Sequence, residues 1–144
     1  MGEGVSELRV KKRDVGATAL LGRNGHPQIE TPTGGNLSVV TAASDPGFNP
    51  LDLLYSSLAA CLVLSARIAA SRMGVLDKFE AVEAKVTGEK SDGEPARIRR
   101  FDMRLTIRGD FDEETRQAIA HEAERICTVS NTLRGEAEFH LDIV

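Results

Sequence analysis

From Leu53 to Ala66 the chain carries no charged side chain, and the middle of that run, Leu58-Ala59-Ala60-Cys61-Leu62-Val63-Leu64, is apolar throughout. A run of this kind has to be buried, and the residues ahead of it say in what form. Pro50 suits the first turn of a helix, where a missing N–H costs nothing, and Asp52 places a negative charge where the helix dipole favours one. The stretch therefore reads as a buried helix, ending near Met73-Gly74 with Gly74 as a left-handed cap. On such a helix Ser57, Leu58, Leu64 and Ser65 lie three or four positions from Cys61, so its sulfur is expected among small and apolar neighbours, which by themselves raise a thiol pKa. Taken alone, Cys61 reads as a small core residue. A second segment, Ile126-Cys127-Thr128-Val129-Ser130-Asn131-Thr132-Leu133-Arg134-Gly135, opens on the only other cysteine, and the two have to be read together.

A chain of 144 residues fits one domain, 1–144, able to bury about two-thirds of its unfolded surface. A net charge of −4, one Tyr and no Trp leave no electrostatic or stacking basis for binding nucleic acid. The uncharged run is shorter than the ~20 residues a bilayer-crossing helix needs, and Met1-Gly2-Glu3-Gly4 lacks the charged and apolar regions of a signal peptide. The expectation is a cytoplasmic protein without a membrane partner. In a reducing compartment, two cysteines are better read as catalytic, redox-active or inert than as a permanent bridge. There is no CxxC and no Cys/His cluster, and His26, His121 and His140 share no spacing, so no metal is expected.

Taken in order, Ser6 to Asp14 and Gly16 to Leu21 read as edge strands, Gly22-Arg23-Asn24-Gly25 as a hairpin turn, His26 to Thr31 as the returning strand, and Asn36 to Thr41 as a fourth. Arg23 lies at the turn. After the buried helix the period changes to two. Lys78 to Gly88 groups Glu80, Val82, Ala84 and Val86 on one face, and Arg97 to Arg108 alternates Phe101, Met103, Leu105 and Ile107 with polar residues; the two are expected to pair antiparallel. Asp110 to Glu113 supplies a helix start, followed by Phe111, Thr115, Ile119, Glu122, Ala123 and Ile126 at helical spacing. Glu136 to Val144 is expected to close the chain as a strand with Ala137, Phe139, Leu141 and Ile143 inward. The fold class is α+β, a largely antiparallel sheet packed on helices.

Asn49-Pro50 with Leu53-Leu54, Leu58-Ala59-Ala60-Cys61, Cys127-x-x-Ser130-Asn131-Thr132-Leu133-Arg134-Gly135 and the Gly22-Arg23-Asn24-Gly25-His26 turn together resemble the OsmC/Ohr family, the osmotically inducible protein C and organic hydroperoxide resistance proteins. The likeness runs over nearly the whole chain in the same order. It implies an intertwined homodimer with active sites at the subunit interface, and a cysteine peroxidase that reduces organic hydroperoxides without a bound cofactor. On that model Cys61 attacks the peroxide and becomes a sulfenic acid, Cys127 resolves it as a disulfide, and an external dithiol reduces the pair. The resemblance also implies that Arg23 holds the Cys61 sulfur as thiolate. Two positions depart from the pattern. Leu51 stands where Ohr-like members have a Glu that orients the arginine, which makes Asp52, one place later, the candidate carboxylate; and Thr128 stands where the family often has Pro. Ser130 and Asn131 read as local caps, and Arg134 as a second anion contact or a solvated loop residue. The rival readings are a dimeric module that binds an apolar ligand, and a redox sensor.

Overall fold

A computed structural model describes residues 14–144, so the alternating segment from Ser6 lies, but for Asp14, outside the described residues. The chain forms two compact units, residues 1–51 and 52–144, whose boundary falls in the first turn of the long helix without an intervening linker. In the first unit, β1 (Thr18–Leu20), β2 (Gln28–Glu30) and β3 (Asn36–Ser38) make a three-stranded antiparallel sheet in the order β1-β2-β3. Ala19 pairs with Ile29 and Ile29 with Leu37, so the expected hairpin about Arg23 is present, with shorter strands than the sequence suggests.

The second unit is built on α1 (Pro50–Arg72). Its end is fixed by Gly74 at φ +76°: the Gly74 amide reaches the Ser71 carbonyl at 3.1 Å and the Val75 amide reaches that of Ala70 at 2.9 Å, which satisfies the last free acceptors. At 23 residues α1 exceeds the uncharged run and is long and apolar enough to cross a bilayer; a third of its most apolar window is buried here, as the core helix of this unit. A 3-10 turn (Leu76–Lys78) leads into β4 (Phe79–Lys90), which pairs antiparallel with β5 (Ile98–Gly109) along its whole length. Phe101, Met103, Leu105 and Ile107 face inward as expected. Glu80 does not join Val82, because a bulge between Phe79 and Ala81 shifts the alternation and turns Phe79 inward instead.

α2 (Glu113–Ile126) starts one turn element later than the Asp110 signal suggests: Asp112 is the cap, its carboxylate accepting the Thr115 amide at 2.8 Å. α1, α2 and the sheet meet through Ala66, Ala69, Ala70, Ile107, Ile119 and Ala123. Five of those six, all but Ile107, are wholly excluded from solvent. A second cluster, Leu58, Leu62 and Cys127, sits nearer the start of α1. The segment after Cys127, read as capped loop, is a third helix, α3 (Thr128–Arg134). The expected last strand is absent. Residues 136–144 form no regular element and pair with no strand, with Phe139, Leu141 and Ile143 93%, 84% and 86% exposed.

Candidate active site

Cys61 enters the site because α1 carries it on the face that packs against β5 and α3, beside Leu58 and Leu62. Cys127 enters from the corner between α2 and α3, where it ends one helix and caps the next; the Ser130 amide donates to its sulfur at 3.4 Å. The two cysteines, 66 positions apart in sequence, meet in one cluster with Leu58 and Leu62, with Cys61 half-buried, Cys127 fully buried and both thiols free. The structure brings these two candidate residues together.

Burial pushes the Cys61 thiol up, as its apolar neighbours lead one to expect, but four donors outweigh it: the Val129 amide, the Cys127 thiol, the Ser65 hydroxyl and the Thr128 amide. Its pKa ends below the ordinary thiol value. Cys127 moves the opposite way, raised first by burial and then by donating its proton to Cys61. The two shifts run in opposite directions, so Cys61 is the sulfur of the pair that ionises first as pH rises. Ser65, one helical turn past Cys61, is 5% exposed. The sequence places it beside the sulfur by spacing, but not as a donor.

Arg134 is solvated, with 61% of its side chain exposed, but its guanidinium is paired within the chain. Its guanidinium donates to the Glu124 carboxylate and, at 3.2 Å, to the Ser130 hydroxyl, which itself donates to Glu124 at 2.8 Å. The Ser130 hydroxyl first, and then Arg134, hold the Glu124 carboxyl below its ordinary value against the upward push of partial burial. No local spacing in the sequence marks Glu124, since its partners lie across a helix corner. Asn131 does act as a cap, its side chain reaching the Arg125 carbonyl at 3.1 Å.

Beside the pair opens a cleft of about 240 Å³ with Leu58, Ile98, Phe101, Met103 and Leu133 as walls and Arg99, Ser130 and Arg134 at its polar side. Asp52 lies half-buried in the first turn of α1. Arg23 lies in the other compact unit, exposed in the turn between β1 and β2. Among the described residues no group of three or more His, Cys, Asp or Glu gathers as metal ligands; His26, His121 and His140 are exposed on three separate elements.

A profile of OsmC-like proteins matches residues 43–142, a span that includes both cysteines. The chain belongs to the OsmC family. Similar folds among solved structures include the OsmC-like protein of Mycoplasma pneumoniae, with a TM-score of 0.73, 23% identity and 88% of this chain and 89% of that one covered. The organic hydroperoxide resistance protein of Elizabethkingia anophelis, crystallised with thiocyanate, has a TM-score of 0.67, 23% identity and coverage of 88% and 91%. For OhrB, the organic hydroperoxide resistance protein of Bacillus subtilis, the values are 0.57, 24%, 83% and 90%. No curated protein sequence matches this chain. At these identities the likeness to the solved structures establishes the fold.

Proposed function

We propose that this chain is a thiol-dependent peroxidase that reduces organic hydroperoxides to alcohols, acts as a homodimer in the cytoplasm, and is recharged by an external dithiol without a bound cofactor. The reading rests on the sulfur pair: a half-buried cysteine whose pKa is lowered, packed against a buried cysteine whose pKa is raised. The Cys61 thiolate attacks the distal peroxide oxygen, the O–O bond breaks, and the departing alkoxide takes a proton from water to give the alcohol. Cys61 is left as a sulfenic acid. The Cys127 sulfur then attacks the Cys61 sulfur, the S–O bond breaks, and the Cys127 proton leaves with the hydroxide as water. A dithiol supplies two electrons and two protons to restore both thiols. The apolar wall of the cleft, where Leu58, Phe101 and Met103 also pack around the cysteine pair, gives the organic group of the peroxide a place to sit. Relatives of the same fold are named for organic hydroperoxide resistance, which supports the substrate class.

In this reading Arg23 belongs to the Cys61 thiolate, and Asp52 orients that arginine in place of the Glu absent at Leu51. The homodimer is supported by apolar surface a single chain leaves open: Leu64 and Ile68 on α1, and Phe139, Leu141 and Ile143 at the end of the chain. The deciding experiment measures loss of cumene hydroperoxide with purified protein and excess dithiothreitol. Turnover by the wild type and none by Cys61→Ser is the expected result. Equal rates for both would leave only a binding module, and a single oxidation to the disulfide that dithiol does not reverse would make the protein a sensor.

A further inference from the structure

Three side chains close a ring at the corner that presents Cys127. The Glu124 carboxylate, from the last turn of α2, accepts both the Ser130 hydroxyl at 2.8 Å and the Arg134 guanidinium; the guanidinium also donates to Ser130 at 3.2 Å. Ser130 is 3% exposed, and its hydroxyl is used in both directions, as donor and as acceptor. That is unusual for a helical serine, whose hydroxyl commonly bonds the carbonyl one turn back, as Thr132 does here to Thr128 at 2.7 Å. The ring ties the end of α2 to both the first turn and the last residue of α3. On the backbone of the same residue, the Ser130 amide bonds the Cys127 sulfur at 3.4 Å; Val129 packs, with Cys61, against the cluster that holds Cys127, and the Val129 and Thr128 backbone is among the causes that lower the Cys61 pKa.

The corner does not need this ring in order to close. Asn131 already bridges it through the Arg125 carbonyl, and Cys127 ends one helix and caps the other. The ring instead lies on the side of α3 that borders the cleft, since Ser130 and Arg134 both line it. A short helix pinned at its first turn and at its last residue cannot rotate about its own axis. Rotation is the motion that would swing the amides of its first turn off a sulfur on α1.

We propose that Glu124, Ser130 and Arg134 are positioning residues of the sulfur pair: their hydrogen-bonded ring locks the rotation of α3 and so keeps the Thr128 and Val129 amides on Cys61 and the Ser130 amide on Cys127. The inference builds on the peroxidase reading only in taking Cys61 as the attacking sulfur, and its test needs no peroxide. Iodoacetamide reacts with thiolates, so the alkylation rate of Cys61 against pH, with the modified residue located by mass spectrometry, reports how firmly the sulfur is held ionised. In Ser130→Ala and Glu124→Ala the midpoint moves up and the rate near neutral pH falls roughly ten-fold, the change one pH unit makes where the thiol predominates. Glu124→Gln, which keeps the acceptor and the shape, restores part of the loss. Asn131→Ala, which cuts the bond outside the ring, lowers thermal stability and leaves the midpoint in place. Wild-type midpoints in both alanine variants, or an equal shift in Asn131→Ala, would overturn the proposal. Should Ser130→Ala not fold, Glu124→Ala carries the test, because that side chain is one-third exposed. A protein that shows the shifts yet consumes no peroxide keeps this inference and loses the peroxidase.

Discussion

Cys61 lies half-buried on α1, with its pKa lowered, while Cys127 sits buried at the corner of two helices, with its pKa raised, and this asymmetry decides how each sulfur behaves. Because the Cys61 pKa is lowered, its thiolate fraction, and with it the peroxide rate, rises with pH through a midpoint below that of a cysteine in an unstructured peptide. Stopped-flow rates from pH 5 to 10, set beside alkylation of such a peptide, check this; a midpoint at or above the peptide's contradicts it. Cys127→Ala removes one of the donors, so the midpoint moves up, and the variant consumes one equivalent of peroxide and stalls as a sulfenic acid that dimedone traps. At this scale the sequence was most informative about the sulfurs, since two cysteines set in distinctive surroundings are easy to single out. It was silent on Glu124, whose partners at 130 and 134 reach it only once a corner has folded. It was misleading on the Cys61 environment, because the apolar neighbours are visible in the sequence and the amides of a distant segment are not.

The elements were legible wherever a period ran long enough against a solvent contrast. α1, β4, β5 and α2 stand close to where hydrophobic spacing puts them. Three features escaped for separate physical reasons. The bulge at Phe79 and Ala81 inserts one residue and resets the alternation. α3 is two turns long, too short to show a period, and is held by a sulfur cap rather than by a serine or aspartate signal. Residues 136–144 alternate as a strand should, but alternation predicts a buried face only when something covers it. The packing of α1 on α2 through Ala66, Ala69, Ala70 and Ala123 leaves no room for larger groups. Ala69→Leu is therefore expected to cost about 1–3 kcal/mol through displaced neighbours, read as a lower urea midpoint with an unchanged m value.

On the scale of the molecule, the apolar residues left uncovered outnumber what a single chain of this size needs to expose. They fall in series, on the outer side of α1 and along residues 136–144. In an isolated chain, Leu141→Asp at an 84% exposed position is close to neutral for stability. If the proposed homodimer covers this segment, the same substitution halves the mass measured by light scattering and lowers the melting temperature in a concentration-dependent way. A wild-type mass of one chain, about 15.6 kDa, would remove the dimer from the proposal. Cys127 also carries a consequence for the folded chain as a whole. A covalent bond to Cys61 closes a loop of 66 positions, a constraint worth about 4 kcal/mol in chain entropy, and it fastens the middle of α1 to the pivot between α2 and α3. Each round of oxidation would then clamp the helical layer and each reduction release it, so resistance to limited proteolysis would rise and fall with the electrons the protein holds.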